Sequence, residues 1–88
     1  MANFANVANG LPTDWVPVTP NNTTDNMTTN ARQLPIGFYI TTGGTVTFTV
    51  DGVDRVVTFP SNFIVPCVNV TRIKATGTTA SGIFSLVI

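Results

Sequence analysis

Between Gly43 and Pro60 the chain reads GGTVTFTVDGVDRVVTFP, with hydroxyl and apolar residues alternating through Thr45–Val50. A period of two predicts a strand. It places Val46, Phe48 and Val50 on one face and Thr45, Thr47 and Thr49 on the other. The alternation stops at Asp51-Gly52, a turn dipeptide. Two hairpin registers are compatible with that turn. A two-residue turn sets Val50 against Val53, Phe48 against Arg55 and Val46 against Val57. A four-residue loop over Asp51–Asp54 sets Val50 against Arg55, Phe48 against Val57 and Val46 against Phe59. The second buries more apolar surface and is the register expected. In both, Val57 and Phe59 join the apolar face, whereas a three-residue loop would move them to the threonine face.

Turn signals divide the rest of the chain in the same way. Gly37–Thr42 is a strand ending at Gly43-Gly44, and Arg55–Phe59 ends at Pro60-Ser61-Asn62. Phe63–Lys74 reads as two strand pieces bent at Pro66. Ala75–Gly82 reads as a flexible connection, and Ile83–Ile88 as a last strand. Upstream, Pro12, Pro17 and Pro20 confine Thr13–Val18 to an extended or edge-strand conformation. Residues 19–33, TPNNTTDNMTTNARQ, have no periodicity and read as a loop or adaptable arm. In residues 1–12, Phe4, Val7 and Leu11 fit one helical face, but Asn3, Asn6, Asn9 and Gly10 are poor helix formers, so an extended arm is expected. The predicted fold is all-β: a small antiparallel β-sandwich or barrel over residues 34–88, preceded by an extended N-terminal arm and loop over residues 1–33.

With 88 residues the chain is one domain at most, and a core this small is marginal. The single cysteine, Cys67, excludes an intrachain disulfide. No histidine is present and the carboxylates are only Asp14, Asp25, Asp51 and Asp54, which argues against a structural metal. Oligomerisation or docking onto a larger body is the stabilising route left. Four basic and four acidic residues cancel, and only 9% of the chain is charged, against about 25% in typical domains. Uncharged Thr and Asn beside 43% hydrophobic residues suit a protein held in contact with other protein. The balance lacks the basic excess a nucleic-acid binder needs. No apolar run approaches a membrane span, and the N-terminus has no secretory leader pattern. The N-x-Thr patterns at Asn21, Asn22, Asn26 and Asn69 are then chance matches in an Asn/Thr-rich chain.

Catalytic chemistry has little to work with. Cys67, Ser61, Ser81 and Ser85 have no histidine to activate them, and Cys67 reads as a buried structural thiol. Asp51 and Asp54 are explained by the turn, and Gly43-Gly44 by a bend. No enzyme activity, cofactor or small-molecule substrate is expected. The candidates for protein contact are few. The face carrying Thr45, Thr47 and Thr49 is either solvated or protein-facing. Arg72 and Lys74, on one side of a strand, either guard an edge against unwanted pairing or form a basic patch for an acidic partner, which Arg32 could join. Trp15 either caps the core or anchors the arm on a neighbour. Phe4, Val7 and Leu11 are the arm's own apolar contacts.

The stretches NGLPTDWVPVTPNNTTD and RIKATGTTASGIFSLVI, with Ala31-Arg32 leading into the strands, resemble small virion proteins of tailed bacteriophages. The likeness covers most of the chain as a layout and is sharpest over Pro17–Asp25 and Arg72–Gly82. In that class a Pro/Thr-rich N-terminal segment precedes a compact β-domain. The resemblance implies a structural role, with several such proteins coating the capsid as cement or decoration proteins, often as trimers. It implies the major capsid protein as partner, a homo-oligomer, and a place on the capsid exterior after synthesis in the bacterial cytoplasm. Arg72 and Lys74 stand where similar sequences carry basic residues before the turn. A low-copy tail or spike adaptor, or a small β-barrel binding module, is the alternative.

Overall fold

The computed structural model describes residues 12–29 and 32–88. The expected arm of residues 1–11, with Phe4, Val7 and Leu11, lies outside the described residues, as does Ala31. The described chain is all-β, with seven strands: β1 (Asp14–Pro17), β2 (Pro35–Thr42), β3 (Gly44–Val50), β4 (Val53–Phe59), β5 (Phe63–Val65), β6 (Val70–Lys74) and β7 (Ser81–Val87). They form a four-stranded antiparallel sheet ordered β1-β7-β2-β5 and a three-stranded antiparallel sheet ordered β4-β3-β6. Of the two architectures expected, the sandwich is the one formed.

Alternation along β2, β3 and β7 supplies the core. Phe38, Ile40 and Ile83 from one sheet meet Val46, Phe48, Val70 and Ile73 from the other, joined by Val18, Met27, Val65 and Ala80. Phe38 packs edge-on against Phe48 and Phe59, with ring centroids 5.3 and 5.9 Å apart. Aromatic pairs at such spacings add about 0.5–1.5 kcal/mol beyond the area they bury. The chain crosses between sheets at Gly43, where two crossings meet. A Cβ there would lie 2.6 Å from Ser61 N and 2.7 Å from the Phe59 carbonyl oxygen.

The hairpin takes the two-residue turn rather than the four-residue loop expected. Val50 pairs with Val53, Phe48 with Arg55 and Val46 with Val57. Asp51 and Gly52 both have positive φ, 50° and 79°. That geometry twists with the strands it joins, and Asp-Gly suits it. The area argument fails because β4 is an edge strand whose residues lie almost wholly exposed. Val53 and Val57, on the inward side, remain 48% and 41% exposed.

The two strand pieces expected in Phe63–Lys74 form as β5 and β6 on either side of Pro66, and the bend between them carries the chain from one sheet to the other. Two further expectations change. Cys67 sits in that crossing, half-buried against the core. Ala75–Ala80 is tied down rather than flexible. The amides of Thr79 and Ala80 donate to the Thr45 carbonyl (2.8 and 3.2 Å), and those of Thr45 and Thr47 donate to the hydroxyls of Thr79 and Thr78 (2.9 and 3.0 Å). Threonine hydroxyls thus carry on the ladder of β3 past the end of β6.

Residues 12–29, within the expected arm and loop, are knit into the same body. β1 pairs with β7 along its length, and Val18 and Met27 are core residues. Residues 21–26 cover the outer edge of β6. The Asn21 amide donates to the Ile73 carbonyl (2.9 Å) and the Asn26 amide to the Thr71 carbonyl (3.3 Å). The Asn26 side chain accepts from the Ile73 amide and donates to the Ile73 carbonyl, both at 2.9 Å, as a paired strand residue would. Asn22 Oδ1 caps the amides of Ala75 and Thr76 at 3.0 and 2.9 Å.

Candidate functional site: an apolar outer sheet face

The four-stranded sheet is apolar on both faces. Register places Phe38 beside Ser85 and Val65 on the inner face, and so sends Trp15, Leu86, Phe84, Tyr39 and Ile64 outward. Leu86 is 4% exposed although it points away from the core, because its neighbours wall it in. Around it lies a groove of about 450 Å³, lined by Trp15, Ile36, Ile64, Pro66 and Val68 with Pro12 at its rim. Among the described residues no charged side chain lines it. Trp15, Ile64 and Val68 are 46%, 51% and 60% exposed.

Trp15 is held in place by its neighbours. Its ring lies 5.3 Å from Tyr39 and 6.4 Å from Phe84. The Tyr39 hydroxyl donates to Asn62 Oδ1 at 2.9 Å, which fixes the ring under Trp15. The tryptophan therefore stands outside the core cluster, on a rigid aromatic support. Sequence reasoning missed Ile36, Ile64, Val68, Phe84 and Leu86 as members of this surface. The signal was available: FIV is a continuous apolar run and IFSLVI is broken only by Ser85, rather than either alternating, which marks strands apolar on both faces.

The other candidates lie on the outer face of the opposite sheet. Thr47 is only 8% exposed. Its hydroxyl lies against Gly77, where a Cβ would approach to 2.6 Å, so the chain's own loop covers it. Thr45 shares a hydroxyl hydrogen bond with Thr58 (3.0 Å), and Thr49 donates to Asp54 Oδ1 (2.8 Å). Arg72 and Lys74 line up with Thr49 and Thr47 across the β3–β6 ladder. Each meets a carboxylate: Arg72 reaches Asp25 at 2.8 Å and Lys74 reaches Asp54 at 2.9 Å. Arg72 also donates to the Asn22 carbonyl at 3.3 Å. The hydrogen bond from Lys74, then that from Thr49, holds the Asp54 carboxyl below its ordinary range. Both cations thus serve the chain itself: Lys74 ties β6 to β4, and Arg72 fastens the segment that covers β6. Arg32 is exposed in the turn before β2, in the other sheet. Among the described residues no cluster of three metal-ligating side chains forms, and no helix is long and apolar enough to cross a membrane.

No protein-family model, curated protein or solved structure matches the chain.

Proposed function

We propose that the protein is a non-enzymatic structural component of a virion, a capsid cement or decoration protein that docks on the major capsid protein through the outer face of its four-stranded sheet. The observation that carries this reading is the uncharged groove around Leu86, flanked by half-exposed Trp15, Ile64 and Val68. Exposed apolar surface gathered round a supported tryptophan is the usual make-up of an interface centre. A groove with no charged lining takes an apolar protein surface as its occupant. The low charge of the whole chain and the layout shared with small phage virion proteins support the same reading.

The mechanism is mass action. A protein that binds only the assembled shell stabilises it by an amount set by affinity and free concentration. Symmetry repeats each weak contact over the shell. The test is copy number in purified particles of the virus that encodes the chain, quantified against the major capsid protein. Many copies in a fixed ratio to the shell protein are expected. A few copies per particle would assign it to a tail or spike adaptor, and absence from particles would refute the virion reading.

A further inference from the structure

Each sheet of a sandwich leaves two edges, and an open edge invites another strand unless the chain blunts it. Three of the four edges here are blunted. β1 has four residues and ends in Pro17. β5 has three and runs into Pro66. β6 is covered by residues 21–26 through the hydrogen bonds described above. β4 has none of these devices, and its one guard is the charge of Arg55, which stands opposite Phe48 on the inward side. It runs seven residues, Val53–Phe59, without proline, lysine or bulge, and its pairing with β3 is regular from end to end. Among the described residues no backbone hydrogen bond reaches its outer edge. Its side chains are equally uncovered, with Val56 65% exposed on one face and Val53 and Val57 on the other.

We propose that β4 pairs with β4 of a second copy of this chain, antiparallel and centred on Val56, joining two three-stranded sheets into one. The proposal does not depend on the virion reading. The register follows from the hairpin. In a two-residue hairpin the closing pair, Val50 with Val53, exchanges both hydrogen bonds, so the amides and carbonyls of Asp54, Val56 and Thr58 point to the open edge. Only registers that oppose these residues can form hydrogen bonds. Centring on Arg55 would set two guanidinium groups directly opposite, which is repulsive. Centring on Val57 would oppose Asp54 to Pro60, which has no amide hydrogen to donate. Centring on Val56 opposes Val56 to its copy and Asp54 to Thr58 of the second copy, for about six backbone hydrogen bonds. Arg55 then faces Val57 of the second copy. Asp54 meets a threonine while keeping Lys74 and Thr49 as its own partners. An isologous edge of this kind closes as a dimer, in contrast to the trimer the resemblance implies.

The test is the mass of the full chain by sedimentation equilibrium across a concentration series, with two variants. Val56→Pro removes an amide that points away from β3, so the hairpin ladder keeps its bonds while the new pairing loses its centre. A concentration-dependent dimer is expected, with self-association at least about tenfold weaker in Val56→Pro, equivalent to about 1.4 kcal/mol. Val56→Cys in a Cys67→Ser background tests the register independently of proline tolerance. Opposed hydrogen-bonded residues stand about 5.5 Å apart, within disulfide range. Val56→Cys should cross-link on mild oxidation, and Val53→Cys should not. A monomer at every concentration overturns the proposal, and one whose β4 edge amides resist hydrogen exchange would assign the edge to the chain's own residues 1–11. A dimer in which Val53→Cys cross-links as readily as Val56→Cys overturns it too.

Discussion

Replacing Asn26 with alanine tests whether the segment between β1 and β2 is structural. The side chain makes three hydrogen bonds, each at 2.9 Å: it donates to the carbonyls of Thr19 and Ile73 and accepts from the Ile73 amide. The Thr19 bond lies at the surface, so water replaces it at small cost. The Ile73 groups are different, because they are partly buried and sit on the edge of β6 that the segment covers. A net contribution of about 1 kcal/mol per bond is usual, and a buried group left unpaired costs about 1–3 kcal/mol. The sum expected for Asn26→Ala is about 2–4 kcal/mol, a large share of the roughly 5–15 kcal/mol that stabilises a small domain. Urea unfolding followed by tryptophan fluorescence measures it directly. Thr23→Ala is the control, since among the described residues the Thr23 hydroxyl bonds only Asn21 in the same loop, and should cost under about 0.5 kcal/mol. Hydrogen exchange adds a local readout: the Ile73 amide should lose protection in Asn26→Ala beyond the global change. Equal small losses in the two variants would mean that the covering segment contributes nothing, and that β6 is as open an edge as β4.

Four other outcomes follow from particular contacts. Ser85 is fully buried on the inner face and, among the described residues, its hydroxyl has no hydrogen-bond partner; Ser85→Ala should stabilise the fold by about 1 kcal/mol, raising Tm by about 4–8 °C in a scanning calorimeter. Gly52 has φ 79° in the turn, and Gly52→Ala should cost about 1–2 kcal/mol through strain alone, read by chemical unfolding. Thr47→Lys would force a charge into a site covered by Gly77 and should cost about 2 kcal/mol or more by the same assay. Asp54 titrates below its ordinary value of 3.8 because of Lys74 and Thr49. A depressed folded pKa gives stability that is present above the unfolded value and lost as pH falls through the folded one. Asp54→Asn should therefore flatten that part of the acid limb, and a stability–pH curve identical to that of the natural chain would refute the coupling.

The all-β character was legible because short strands bounded by Gly, Pro and Asn repeat along the chain, and Thr45–Val50 alternates cleanly. The hairpin register was misjudged for a physical reason. Greater burial favours the longer loop only if a facing sheet covers the whole strand, and nothing in the sequence says that β4 lies at an edge. The turn stereochemistry of Asp51-Gly52 was the stronger signal. The role of residues 19–29 could not be read locally, because Asn26 finds its partner 47 positions away and an asparagine side chain imitating a strand leaves no periodicity. The apolar groove was half legible. Trp15 stood out as a lone tryptophan between prolines, but its surroundings come from Ile36, Ile64, Val68 and Leu86, which only sheet order brings together.

The two proposed surfaces have a geometric relation that makes a joint prediction. Two identical strands paired antiparallel are related by a two-fold axis perpendicular to their sheet. The two four-stranded sheets would then lie on the same side of the joined sheet, with their outer faces and both grooves turned the same way. A dimer would thus offer two apolar sites to one flat surface. Linking two weak sites raises avidity by about 10²–10⁴ with no new contact, provided both reach the target together. Truncating a central tryptophan commonly costs about 2 kcal/mol or more per site. Trp15→Ala should therefore abolish binding to a shell while leaving the dimer intact. Val56→Pro should leave each groove intact but reduce binding to that of a single weak site. Binding by Val56→Pro equal to that of the natural chain, with the dimer gone, would show that the grooves act independently and that edge pairing has no part in docking.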